Sequence, residues 1–204
     1  MALPLRKHEG FTYRDYRTWS EDERWELIAG VPFCMTPAPS TRHQRLAGEM
    51  YKQIAMFLTG RDCEVFFAPF DVRLAQPDAD DDETDTVVQP DIVVVCDPAR
   101  IDEHGCKGAP DFVIEILSPA TAVRDCITKL ALYQEHGVRE YWIVSPDEKA
   151  VTVHLLREDG RYEARTYRAW AEPIPVTILP GLDIDLGPAF GATAGPPEQR
   201  SKKG

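Results

Sequence analysis

Residues 87–97, VVQPDIVVVCD, and residues 109–121, APDFVIEILSPAT, carry the pattern that decides the fold of this chain. Each reads as a buried strand opened by a Pro-Asp step, and the second holds an acid among apolar neighbours. In DFVIEIL, alternation sets Asp111, Val113, Glu115 and Leu117 on one face and Phe112, Ile114 and Ile116 on the other. Both faces are apolar apart from the acids, as in a strand covered on both sides. An ionised carboxylate there is costly unless a cation, a donor network or a metal ion compensates it. Glu115 therefore needs a partner, and Asp91, at the mouth of DIVVV, poses a milder version of the same problem.

Taken singly, Asp91 can be a turn aspartate after Pro90, and Glu115 can belong to a buried salt bridge with Arg124 or Lys129. Taken together, two acids on neighbouring strands form a hard oxygen pair, the kind that holds Mg²⁺ while leaving water positions open.

Working outward, residues 41–58 place Leu46, Met50, Ile54 and Phe57 or Leu58 on one face of a long amphipathic helix, with His43 one turn before Leu46. Residues 19–30, WSEDERWELIAG, carry Ser20 and Glu23 at capping-box spacing and Gly30 as a stop signal. They predict a short helix, followed by a strand over VPFCM and a turn at TPAPST. CEVFFAPFDVRLA is strand-like with a break at Pro69. Residues 121–137 predict a helix, apolar at Val123, Cys126, Ile127, Leu130, Ala131 and Tyr133 and ended by Gly137. VREYWIVSP returns as a strand. AVTVHLL and RYEARTYRA flank Asp159-Gly160 as a C-terminal β-hairpin, and VTILPGLDIDL adds a short strand. The class is α/β, with a mixed central sheet flanked by helices. A single domain over residues 1–190 is expected, with 191–204 a disordered tail.

Composition narrows the function. The chain has 204 residues and a net charge of −11, which argues against a protein that coats nucleic acid. Six acids lie in DADDDETD, residues 78–85, which reads as a solvated loop; without them the chain is still acidic. Any nucleic-acid contact therefore needs a local basic surface or screening metal ions. No apolar run is long enough for a membrane helix, and the start lacks a signal-peptide core. Five scattered cysteines show no zinc-ligand spacing. Cys96 and Cys126 read as small core residues, and a reducing cytoplasm fits.

The Pro-Asp step before an apolar strand, followed by Glu within the next, resembles the PD-(D/E)XK nuclease superfamily with its restriction-endonuclease-like fold. More narrowly, RWELIAG, MTPAPSTRHQRL, APFDVRL, VVQPDIVVV, GAPDFVIEILSPAT, RDCITKLALYQEHGVREYWIVSP and LPGLDIDL are similar, in that order, to the Uma-type family of restriction endonucleases. The blocks run from about Thr12 to about Leu186.

The resemblance implies a metal-dependent endonuclease hydrolysing DNA phosphodiester bonds with Mg²⁺ or Mn²⁺. Asp91 and Glu115 would ligate the metal, with the Ile116 carbonyl as a further oxygen. Glu26 would help from an N-terminal helix, and His43 would support the site. The superfamily's lysine, two positions after the acid, is here Leu117. Lys129 on the following helix is the candidate to replace it; the alternative is an Asp125–Lys129 surface pair, whose stability contribution of about 0.3–0.5 kcal/mol scarcely explains it. A homodimer would suit cleavage of both strands. Leu117 and the acidic charge favour a second reading, a catalytically weak or inactive nuclease-fold binding or regulatory module. A third is a metal enzyme for a small phosphorylated substrate.

Overall fold

The structure is a computed structural model that describes residues 10–20, 22–35, 39–75, 80–119, 121–169 and 171–190. The first half of the TPAPST turn, the start of the acidic run and the tail from 191 lie outside the described residues. In chain order the elements are α1 (Tyr13–Tyr16), β1 (Trp25–Ile28), β2 (Val31–Cys34), α2 (Thr41–Leu58), β3 (Glu64–Phe67), β4 (Val72–Arg73), β5 (Val87–Val88) and β6 (Ile92–Val95). Then come β7 (Ile101–Asp102), β8 (Gly105–Lys107), β9 (Phe112–Ile116) and a π-helix (Arg124–Lys129) that runs into α3 (Leu130–Glu135). The chain closes with β10 (Glu140–Ser145), β11 (Ala150–Leu156), β12 (Tyr162–Arg168), β13 (Ile174–Pro175) and β14 (Asp183–Ile184).

Two six-stranded sheets result, in the orders β12-β11-β10-β9-β6-β3 and β2-β1-β5-β4-β8-β7, with β13 and β14 as a separate pair. The first is the expected mixed sheet, since β9 and β10 run parallel and its other pairs are antiparallel. The expected hairpin is β11–β12, with Gly160 at φ +75° in its turn.

The alternation read in DFVIEIL divides the core. Phe112, Ile114 and Ile116 join Ile92 and Val94 beneath Leu46, Met50, Ile54 and Leu58 of α2. Val113 joins Val93, Val95 and Tyr141 on the opposite face, packed against Val72 and Val88 of the second sheet and Tyr133 of α3. Each such side chain, fully buried, favours folding by about 1.5–3 kcal/mol.

Four expectations are corrected. Residues 25–34 form a hairpin rather than a helix: Ile28 pairs with Val31 around Ala29-Gly30, at φ +48° and +73°. Positive φ at both central residues makes the turn that joins twisted strands, so Gly30 turns the chain instead of ending a helix. The run 87–95 is two strands, not one. β5 belongs to the second sheet and β6 to the first, and Gln89-Pro90-Asp91 forms the crossing.

The described part of the acidic run is no free loop, because Asp82 and Glu83 pair with Arg14 and Arg17 beside α1. Cys96 is bonded to Cys63 in a disulfide between the ends of β3 and β6. Such bonds belong mainly to oxidising compartments, so the cysteines do not support a cytoplasmic location. Among the described residues, no helix is long and apolar enough to cross a membrane.

Two glycines should respond oppositely to alanine. A Cβ at Gly30 would stand 2.8 Å from the Gly10 Cα, on a left-handed backbone. Gly30→Ala should therefore cost at least about 1–2 kcal/mol. Gly48, exposed within α2, has open space where its Cβ would go. Gly48→Ala should stabilise by about 0.5–1 kcal/mol. Urea unfolding of the two variants checks both signs.

Candidate active site

The crossing at Gln89-Pro90-Asp91 puts Asp91 where the two sheets meet. Extending the Ile92–Ile114 register by one residue sets Asp91 opposite Glu115. The link is direct, since the Ile116 N–H donates to Asp91 Oδ2 at 2.7 Å. Glu26 arrives from β1 of the other sheet, 1% exposed, and accepts the Gln89 N–H at 3.0 Å.

Lys129 joins these acids. Its Nζ donates to Glu26 Oε1 and to Glu115 Oε1, each at 2.7 Å, and lies 3.7 Å from Asp125 Oδ1. Tyr133 adds an O–H donor to Glu115 Oε1 at 3.0 Å, so it is a hydrogen-bonding partner of the site and not packing alone. Asp125 and Lys129 are each 2% exposed, which excludes a surface pair. The expected apolar face of this helix is kept only in part: Tyr133 is buried and Cys126 and Leu130 pack against the core, but Val123 and Ile127 are 75% and 65% exposed, while Asp125 and Lys129 face inward. A π turn takes more residues than an α turn. The 124–129 segment is such a turn, so the spacing used to assign its faces does not apply there.

The electrostatics follow from burial. Desolvation raises the Glu115 carboxyl well above the usual range even though Lys129 works against it. The same competition raises Asp125. Burial disfavours the Lys129 ammonium, but Glu115, Glu26 and Asp125 outweigh this and raise its pKa, so Lys129 stays charged. His43, at the start of α2, sets Nε2 3.2 Å from Asp91 Oδ2. Burial lowers its affinity for a proton, but Asp91 and the Ile116 backbone prevail and its pKa is raised.

All five side chains expected at the site, with Asp125, line one cleft of about 480 Å³. Ile116 lines it too. Gln89 and Arg24 escaped the sequence reading, and Arg124 entered it only as a possible partner of Glu115. Arg124 places Nη1 3.5 Å from Glu26 Oε2 and lies over the Phe33 ring. Gln89 is 9% exposed, and Arg24 donates to its side chain at 2.8 and 3.0 Å. Gln89 carried a usable signal: like Glu115, it is a polar residue inside an apolar run. Arg24 carried none, since an arginine in a polar segment is ordinary.

Among the described residues, no three His, Cys, Asp or Glu side chains stand in a metal-ligating array. The donor set is nevertheless suited to a hard cation. Glu26, Glu115 and Asp125 are all buried with Lys129 as the one buried ammonium among them, and Asp91 lies alongside. Burial first, and the neighbouring acids after it, hold Glu115 and Asp125 at raised pKa, and a divalent ion would offset the negative charge they carry when ionised.

Comparison with known proteins bears on the fold and the family. The chain is 25% identical over 158 residues to protein slr1290 of Synechocystis sp., described as uncharacterized; the match covers 76% of this chain and 79% of that one. Its fold is similar to the crystal structure of a putative nuclease belonging to DUF820 from Anabaena variabilis. The TM-score is 0.69 at 22% identity, covering 89% of this chain and 98% of the other. The Uma2 family model, described as "Putative restriction endonuclease", matches residues 13–187, and the chain belongs to that family.

Proposed function

We propose that the chain is a divalent-cation-dependent nuclease that hydrolyses phosphodiester bonds in DNA. The observation that carries this reading is the convergence on one open cleft of Glu26 from β1, Glu115 from β9 and Asp91 from the crossing before β6, with Lys129 bridging the two glutamates. Family membership supports DNA as the substrate. Asp91 and Glu115, with the Ile116 carbonyl, would hold Mg²⁺ or Mn²⁺. When bound, such an ion neutralises charge on the phosphate and lowers the pKa of a water.

The chain's own groups do the rest. Lys129 keeps two glutamates side by side that would otherwise repel, and so fills the place of the lysine missing at Leu117. Tyr133 and Lys129 both occupy Glu115 Oε1, leaving Oε2 for a ligand. The Gln89 N–H fixes Glu26. His43 and the Ile116 N–H hold Asp91 Oδ2 in place, and His43 keeps a proton next to the site. Arg24 and Arg124, on the wall of the cleft, supply the local positive charge that an acidic protein needs to attract a phosphate.

One observation favours the second reading, a binding module on a nuclease fold. Lys129 is 2% exposed and bound to two carboxylates, so it offers little to a phosphate. Supercoiled plasmid incubated with Mg²⁺ or Mn²⁺ decides between the two. Nicking is expected, and Asp91→Asn or Glu115→Gln should lower it by about 10²-fold or more while the circular dichroism spectrum is kept. Unchanged nicking in either variant would sink the assignment.

Removal of the buried cation tests the electrostatics apart from catalysis. Lys129→Met leaves buried carboxylates without their partner and should cost about 3–5 kcal/mol in urea unfolding. Adding Glu115→Gln to it should recover part of that loss. Simple additivity of the two substitutions would mean that the charges do not interact.

Metal binding should depend on pH with a definite sign. Because Glu115 and Asp125 hold protons above the usual carboxylate range, an arriving cation must displace them. Mn²⁺ affinity, followed by calorimetry, should therefore rise as pH climbs through and above that range, then level off once both are ionised. A flat profile would show that neither acid titrates with metal binding.

A further inference from the structure

A second cavity, of about 390 Å³, lies beside the cleft, and the two share Arg24 and Gln89 in their walls. Its remaining lining holds none of Glu26, Asp91, Glu115 and Asp125, although Glu23 and Asp71 belong to it. Tyr16, Trp19 and Trp25 form an aromatic wall, with Trp19 ring-centred 5.3 Å from Tyr16 and 5.8 Å from Trp25. Phe11 backs Trp19 edge-on at 5.5 Å.

The wall between cavity and cleft is one hydrogen-bonded unit. Arg24 donates to Gln89 Oε1, and Gln89 Nε2 donates to Asp71 Oδ1 at 2.8 Å and to Tyr16 Oη at 3.2 Å. Tyr16 in turn donates to the Trp25 carbonyl at 3.2 Å. One group is left over: among the described residues, the Trp19 Nε1 donor is buried without an acceptor. Unmatched buried donors are uncommon, because each forfeits its hydrogen bonds to water.

We infer that this second cavity receives an unstacked nucleobase from the strand whose phosphate lies in the neighbouring cleft. Planar aromatic walls favour a planar ring over an aliphatic chain, and stacking on Trp or Tyr suits any base. A ring nitrogen or carbonyl of the base would give Trp19 Nε1 the acceptor that the protein lacks. The volume falls within the range of small-ligand pockets. Arg24, lining both spaces, sits where the phosphate attached to such a base would pass. The inference deepens the nuclease reading and rests on it for the strand in the cleft. It names the substrate as DNA with a base out of its stack, whether single-stranded or locally opened.

The test is binding without cleavage. In metal-free buffer with chelator, fluorescence anisotropy compares a short labelled single strand of DNA with the same-length strand of abasic sites. The base-bearing strand should bind roughly 5- to 100-fold tighter. Trp19→Ala should abolish that preference and leave the abasic affinity unchanged. Should Trp19→Ala not fold, Trp19→Phe keeps a ring beside Phe11 and Tyr16 but removes the N–H, and must still narrow the preference.

Equal binding of the two strands by the natural protein, or a full preference in Trp19→Phe, overturns the inference. Deoxyadenosine monophosphate binding as tightly as the strand also overturns it, by making the ligand a free nucleotide. These readings are independent of nicking. A protein that nicks but ignores bases refutes this inference alone, whereas base preference without nicking upholds it and leaves the nuclease reading to fall separately.

Discussion

The Lys129 ammonium, set 2.7 Å from Glu26 and 2.7 Å from Glu115, is the contact on which the arrangement depends. Glu26 comes from β1 of one sheet, Glu115 from β9 of the other, and Lys129 from the helix packed over both. A group this deeply buried keeps its charge only with partners close by, and each carboxylate is subject to the same condition. None of the three can be removed without leaving another exposed to the full desolvation penalty. The contribution is more to register than to net stability, because an apolar trio could fill the same space at least as stably. What it achieves is that two sheets and a helix meet in one relative position, with carboxylate oxygens gathered at the seam.

Two prolines let the chain reach that seam. After β3 the chain passes through Ala68-Pro69 and resumes as β4 in the other sheet; after β5 it passes through Pro90 and resumes as β6 in the first. Proline cannot donate to a ladder, so pairing lapses at each and the strand is free to change partners. The crossings are tied together, since the Ala68 N–H donates to the Asp91 carbonyl and the Gln89 side chain donates to Asp71. Asp91 thus gains its place from the interruption of a strand. A continuous strand through residue 90 would have kept it within one sheet.

Legibility followed the periodicity that each segment obeys. The alternation in DFVIEIL assigned every side chain of β9 to its correct face, because a strand buried on both sides has no other way to present them. The face of α2 that carries Leu46, Met50, Ile54 and Leu58 was equally plain. Residues 19–30 failed because Ser20, Glu23 and Gly30 satisfy helix punctuation and hairpin punctuation alike, and only the partner strand β5 decides between them. Asp91 and Glu115 stood out as acids in apolar runs. Arg24 did not, since nothing local separates an arginine that lines a cleft from one in solvent. The Cys63–Cys96 pair was hidden for a similar reason: 33 residues separate the two, and only the pairing of β3 with β6 makes them neighbours.

The missing lysine shows how one spatial requirement can be met from two places in a sequence. On a strand, the residue two after Glu115 projects from the same face, so a lysine at 117 would reach the same carboxylates. Leu117 instead packs in the core on that face, and its N–H is taken by the Val144 carbonyl. The cation then has to come from whatever covers the face, which is the helix after β9. Asp125, Lys129 and Tyr133 follow one another at intervals of four, so they share one face of that helix, and Ile127 falls away from it. That face is turned inward, at the cost of leaving two large apolar side chains, Val123 and Ile127, in water. That cost is intelligible only if the carboxylates beneath demand the ammonium more strongly than the core demands a valine and an isoleucine.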